Sequence, residues 1–223
     1  MGKPYRLVVF DWEGTLGDTL GQIFNSVAIE ARRLQFGEID KQLARQSVDL
    51  GLVKALRKIF PDLSEEQHQQ LLHAVQHSLI ARTTEVFLIP GAKDFISRLH
   101  NAGIDIAIAT NKGQQSLQRT LHISGLDTLF KVTRSAGQTA PKPSTQMLEE
   151  IIDTFGLTTD ETLMIGDSIT DIEMAKNLGV DAIGVDFYHQ QHNALLAAGA
   201  MAVFDDYQHL ADYLCLPKEG ELK

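Results

Sequence analysis

At 223 residues, with 43% hydrophobic and 22% charged residues, the chain has ordinary globular composition and the length for a large core, as one domain or one and a half. Its formal charge of −9 opposes nonspecific binding to nucleic acid or to an anionic membrane, but leaves room for an anionic substrate held by a local cation. The single cysteine, Cys215, closes no intrachain disulfide, and no apolar run is long enough for a signal peptide or a membrane span, so a cytoplasmic protein is expected.

Leu7-Val8-Val9-Phe10 reads as a short strand buried on both faces. It stops at two carboxylates, Asp11 and Glu13, and then turns through Gly14 and Thr15. Two acids held close repel unless a cation or a proton joins them. From about Gly21 to Arg82 the pattern is helical. Ile23, Val27 and Leu34 share a face, then Val53, Leu56 and Ile59, then Leu71, Leu72, Val75 and Leu79. Asp18 and Thr19 read as caps, Pro61-Asp62 as a break, and Ser64-Glu65-Glu66 as a helix start. No strand pattern interrupts this region, which predicts a helical domain inserted directly after the first strand.

The pattern changes at Val86, and Pro90-Gly91 marks a turn. A helix over about Ala92 to Asn101 stops at Gly103. Ile104 to Ala109 is the second strand, ending in Thr110-Asn111-Lys112, and a helix follows to near Gly125. Lys131-Val132-Thr133 is a weak third strand, Ala140-Pro141-Lys142-Pro143 a loop, and Ser144 to Phe155 a helix. Leu163-Met164-Ile165 is the fourth strand, ending in Gly166-Asp167-Ser168, before a helix over about Asp171 to Leu178. Ala182 to Val185 and Ala202 to Phe204 are short further strands, and Cys215 is placed as a buried or partly buried thiol on a C-terminal helix. The alternation predicts an α/β fold, a Rossmann-like parallel sheet core with helices on both faces, plus the inserted α-helical cap domain.

The strand ends carry the chemistry. The first ends in Asp11, the second in Thr110 and the fourth in Asp167, all on one edge of a parallel sheet, where such folds bind ligands. Lys142, after the third strand, can reach the same edge. Two carboxylates, a hydroxyl and an ammonium describe a site for a phosphate with a divalent cation, with one carboxylate free to attack. Taken singly, each residue has a plain structural role: strand end, solvated loop charge, or first-turn acid of a helix.

Together these segments resemble the haloacid dehalogenase superfamily of hydrolases, in its phosphoglycolate phosphatase-like branch with a helical cap. The resemblance rests on Asp11-Trp12-Glu13-Gly14-Thr15-Leu16, Thr110-Asn111-Lys112, Lys142-Pro143 and Gly166-Asp167-Ser168-Ile169-Thr170-Asp171, in that order. It implies a core of residues 1–16 and 87–223 and a cap of residues 17–86. It also implies a phosphatase in which Asp11 attacks phosphorus and forms an aspartyl-phosphate. Asp11, Asp167 and the main-chain carbonyl of Glu13 would hold Mg²⁺. Thr110 and the amide of Asn111 would bind phosphoryl oxygens, and Lys142 would neutralise charge. Asp171 would orient Lys142 or a metal-bound water. In the cap, Arg45 and then Lys54 are the cations placed to meet a substrate carboxylate. The implied partner is a small phosphorylated metabolite, with neither nucleic acid nor membrane.

One position departs from that family. Aspartate is usual where this chain has Glu13, the residue that protonates the leaving group and then activates water. A stem longer by one methylene, about 1.5 Å, leaves three outcomes: a repacked and competent acid, a slow enzyme, or a phosphoester-binding protein with little turnover. A phosphomutase sharing the nucleophile and metal site is a further alternative. A phosphoacceptor receiver domain needs no helical insertion. The carbon–phosphorus-cleaving branch, which can carry a tryptophan like Trp12, lacks the acid at this position.

Overall fold

Four apolar residues in a row leave β1 (Leu7–Phe10) no solvent face, and every one of its residues is buried. The structure is a computed structural model that describes residues 5–40, 43–44, 47, 50–81 and 85–217. The chain divides into two compact units, Met1–Gly17 with Leu88–Lys223, and Asp18–Phe87.

The first unit is built on a six-stranded sheet in the order β3-β2-β1-β4-β5-β6, with every pairing parallel. Its other strands are β2 (Asp105–Gly113), β3 (Val132–Ala136), β4 (Thr162–Gly166), β5 (Asp181–Val185) and β6 (Val203–Phe204). Side chains alternate across β1, so Leu7 and Val9 join one apolar layer with Met147, Ile151, Met164 and Ile172. Phe10 points the other way, its ring edge-on to Phe95 and Phe130 with centroids 6.0 Å from each. Parallel strands need helical crossovers, and helices on both faces complete the burial. The strand order reverses between β1 and β4, the place where an open α/β sheet leaves a crevice at its carboxyl edge.

The second unit contains α1 (Thr19–Arg33), α2 (Leu52–Ile59) and α3 (Glu65–Ala81). The Asp18 carboxylate accepts from the Gly21 amide at 2.8 Å and starts α1 two residues before the first expected helical position. Ser64 and Gln67 cap α3 reciprocally, each accepting from the other's amide. Val27, Ala31, Leu56, Ile59, Leu71 and Val75 form its core. Val53 does not share the buried face of Leu56 and Ile59 and is 49% exposed. On so short a helix the buried stripe follows Leu52, Ala55, Leu56 and Ile59, and Val53 is rotated about 100° from it.

The remaining helices belong to the first unit: α4 (Ala92–Asn101), α5 (Gln114–Ser124), α6 (Gln146–Phe155), α7 (Ile169–Leu178), α8 (His192–Ala198) and α9 (Tyr207–Tyr213). Three details differ from the sequence expectation. β2 runs on to Gly113, so Thr110-Asn111-Lys112 lies within the strand and not after it. α7 begins at Ile169 because Ser168 caps it. Cys215 is exposed and lies beyond the end of α9. Among the described residues, no helix is long and apolar enough to cross a membrane.

Candidate active site

Asp11 follows β1 directly, and its amide donates to the Ile165 carbonyl of β4 at 3.0 Å, which seats it at the reversal of strand order. The chain then turns sharply. The Trp12 carbonyl accepts from the amides of Leu16 at 3.0 Å and Gly17 at 2.7 Å. Within this turn Gly14 has φ +72°, and a Cβ there would overlap the Asp167 carboxylate. Only glycine satisfies both conditions. The Thr15 hydroxyl donates to Asp167 Oδ1 at 3.3 Å, and the Tyr207 hydroxyl of α9 donates to the Thr15 carbonyl at 2.7 Å. Burial, then the charge of Asp167, holds the Tyr207 phenol protonated well above its usual range, so it remains a donor.

Thr110 is buried in β2, with its hydroxyl oxygen at the same sheet edge. The same oxygen accepts from the Lys112 amide at 3.2 Å. Lys142 lies on the loop between β3 and α6, where its amide donates to Asn111 Oδ1 at 2.9 Å. Its ammonium makes three contacts: Asp11 Oδ1 at 2.7 Å, Asp171 Oδ1 at 2.5 Å and the Ala109 carbonyl at 3.1 Å. An ammonium has three donors, and all three are used. The Lys142–Pro143 peptide bond is cis. Asp171 is fixed from the other side, as Oδ2 accepts from the Ser168 amide at 3.1 Å and hydroxyl at 2.7 Å. A side chain at residue 166 would collide with Asp171, so glycine there lets α7 approach β4.

The structure thus brings Asp11, Thr110, Lys142, Asp167 and Asp171 to one sheet edge. It leaves Lys54 exposed on α2, in the other unit, and Arg45 lies outside the described residues. Burial, partly offset by the Lys142 charge and reinforced by that of Asp171, pushes the Asp11 carboxyl up to about 6. Burial, then the charges of Asp11 and Asp171, pushes Asp167 up to about 8. Burial opposes the charge on Lys142, yet the facing carboxylates of Asp11 and Asp171 win and its net shift is upward.

Asp11, Asp167 and Asp171 each present a carboxylate oxygen within 4.8 Å of the others. Lys142 brings one positive charge to three acids. A further cation relieves that imbalance, and an all-oxygen donor set suits a hard one. The residues therefore fit a divalent cation.

Glu13 has a partner that composition and spacing did not reveal. Lys112 Nζ lies 2.5 Å from Glu13 Oε1, with side-chain exposures of 18% and 41%. The contacts of Thr15, Tyr207 and the Asn111 side chain are likewise not legible in the sequence, whereas Ser168 carries a local signal, the spacing of a capping box with Asp171.

Residues 8–185 match the family model of haloacid dehalogenase-like hydrolases. The chain belongs to that family. Haloacid dehalogenase-like hydrolases similar to it include the phosphoglycolate phosphatase of Rhodospirillum rubrum, 27% identical over 96% of this chain and 93% of the relative. The phosphoglycolate phosphatase of Vibrio cholerae is 28% identical over 92% of this chain and 94% of the relative. In fold, a haloacid dehalogenase family hydrolase from Deinococcus radiodurans, solved with bound phosphate and sodium, superposes with a TM-score of 0.69. It is 20% identical and covers 97% of this chain and all of its own.

Proposed function

We propose that this hydrolase is a Mg²⁺-dependent phosphatase of small phosphate monoesters, acting through an aspartyl-phosphate on Asp11. The observation that supports this most directly is the Asp11 carboxylate itself. It is buried, it is held by the Lys142 ammonium, and it sits at the sheet edge where this fold binds ligands. Asp11, Asp167 and the main-chain carbonyl of Glu13 would hold Mg²⁺, which supplies positive charge for the phosphoryl oxygens.

In the first step an Asp11 oxygen attacks phosphorus, the phosphorus–oxygen bond to the organic group breaks, and Glu13 gives its proton to the departing alkoxide. In the second, water attacks the same phosphorus, its proton passes to Glu13, and inorganic phosphate leaves with Asp11 restored. Thr110 and the Asn111 amide orient the phosphoryl oxygens. Lys142 neutralises charge beside the nucleophile while Asp171 holds its ammonium in place. The helical unit, Asp18–Phe87, takes the role of a cap that selects the substrate. The first compounds to try are small phosphorylated carboxylic acids, the class that the names of the curated relatives give.

The test is phosphate release from a panel of alkyl and sugar phosphates with Mg²⁺, beside Asp11→Asn. Wild type should turn over at least one ester and form a stable beryllium fluoride adduct, and Asp11→Asn should do neither. Full activity in Asp11→Asn would overturn the mechanism.

A further inference from the structure

We infer that Lys112 is the positioning residue that lets glutamate, in place of a shorter acid, work at residue 13. This rests on the phosphatase reading and extends it. Glu13, Lys112 and Thr110 form a connected path across the ends of β1 and β2. Lys112 Nζ holds Glu13 Oε1 at 2.5 Å, and the Lys112 amide donates to Thr110 Oγ1 at 3.2 Å. Thr110 stands two residues beyond Ile108, the β2 partner of Phe10, and Phe10 immediately precedes Asp11. The acid is therefore referenced to the nucleophile through the pairing of β2 with β1.

Two features of the fold make the arrangement specific. β1 and β2 are adjacent and parallel, so residues just past Phe10 and just past Ile108 lie side by side. β2 also shifts register against β3 between Thr110 and Gly113, which sets Lys112 outside the regular ladder. The other ammonium at this edge cannot serve Glu13, because Lys142 spends its three donors on Asp11, Asp171 and the Ala109 carbonyl. The Lys112 side chain is only 18% exposed, so its stem is packed and its head has little freedom. A flexible glutamate tied at one oxygen to such a group loses most of the positions that its longer stem would otherwise allow.

Lys112 acts through Glu13 and touches neither phosphorus nor the leaving oxygen. Its loss therefore matters in proportion to how much the leaving group needs a proton. For Lys112→Met, kcat/KM for an alkyl phosphate should fall on the order of 10- to 100-fold, the scale of a 1 Å misplacement. For p-nitrophenyl phosphate, whose leaving group needs little protonation, it should fall less than about threefold. Lys112→Arg should recover most of the alkyl activity. In a Glu13→Gln background, Lys112→Met should cost less than about threefold on the alkyl ester, since the group it positions is gone.

Equal losses on both esters, or losses that multiply in the double variant, would show that Lys112 works on the phosphoryl group or the fold, and would overturn the inference. Lys112→Gln repeats the measurement if Lys112→Met does not fold. A chain that folds with neither makes Lys112 a structural residue and overturns it as well. Wild type that releases no phosphate from any ester fails the phosphatase reading itself. Active wild type with an unselective Lys112→Met fails this inference alone.

Discussion

Lys142 Nζ lies 2.5 Å from Asp171 Oδ1, and the two side chains are 2% and 0% exposed. The same ammonium reaches Asp11, so Asp171 fixes the cation that the nucleophile faces. Removing one member of a buried charged set costs more than a surface pair, on the order of 3 kcal/mol, because a desolvated charge is left behind. Asp171→Asn should lower the unfolding free energy by about that amount in urea titration. It should also cut kcat about 10- to 100-fold, the usual effect of losing a partner that orients a working group. An unchanged urea midpoint with full activity would mean that the Lys142–Asp171 pair does neither job.

The crowding of Asp11, Asp167 and Asp171 gives a readout that needs no substrate. Mg²⁺ held as proposed would relieve carboxylate repulsion in the folded form, so it should raise the melting temperature. At a concentration 100 times the dissociation constant the gain is about 2.7 kcal/mol. Asp167→Ala should lose most of this shift, and EDTA should abolish phosphate release until Mg²⁺ is restored. A melting temperature indifferent to Mg²⁺, with activity surviving EDTA, would remove the cation from the mechanism.

The parts of the site that lay open in the sequence are those set by one strand at a time. Asp11, Thr110 and Asp167 each end an apolar run, and a run of that kind in an α/β pattern fixes which edge receives its last residue. Asp171 and Ser168 are readable as a capping box for the same local reason. Contacts that join distant segments were not readable. Glu13 and Lys112 are 99 residues apart, and they meet only because β2 continues past Thr110, where spacing suggested the strand had ended. Tyr207 reaches the Thr15 carbonyl from 192 residues away, through the packing of α9 against α4 and nothing in its own neighbourhood of the chain. Val53 was misplaced because a three-residue apolar spacing does not say which side of a two-turn helix faces inward.

Gly14 tests the turn that carries both acids. Gly14→Ala asks a side chain to adopt φ +72° and to share space with the Asp167 carboxylate. The backbone conformation alone costs about 1–3 kcal/mol. Asp167 must also move, which breaks its contact with Thr15 Oγ1. The variant should unfold at lower urea and show a weaker Mg²⁺-induced rise in melting temperature than wild type. A variant less stable but with an unaltered Mg²⁺ response would show that Asp167 keeps its place without this glycine.

Glu13→Asp decides whether the longer acid is a fault or a fit. If glutamate were merely out of place, the shorter acid that is usual in this family would raise turnover. The pairing with Lys112 argues the reverse. Glu13 Oε1 is 2.5 Å from Lys112 Nζ, and an aspartate carboxylate sits about 1.5 Å further back along the stem. It loses the ammonium, and its position over the leaving oxygen is no longer defined. Turnover of an alkyl phosphate should therefore fall, on the order of tenfold or more. The Mg²⁺ concentration for half-maximal activity should change little, because the cation is assigned to the main-chain carbonyl of residue 13 and not to its side chain. Glu13→Gln should fall further on the alkyl ester, since an amide neither gives nor takes the proton. Steady-state kinetics of the three proteins on one alkyl and one aryl phosphate separate these cases. A rise in turnover for Glu13→Asp would show that the pocket has not been rebuilt around glutamate.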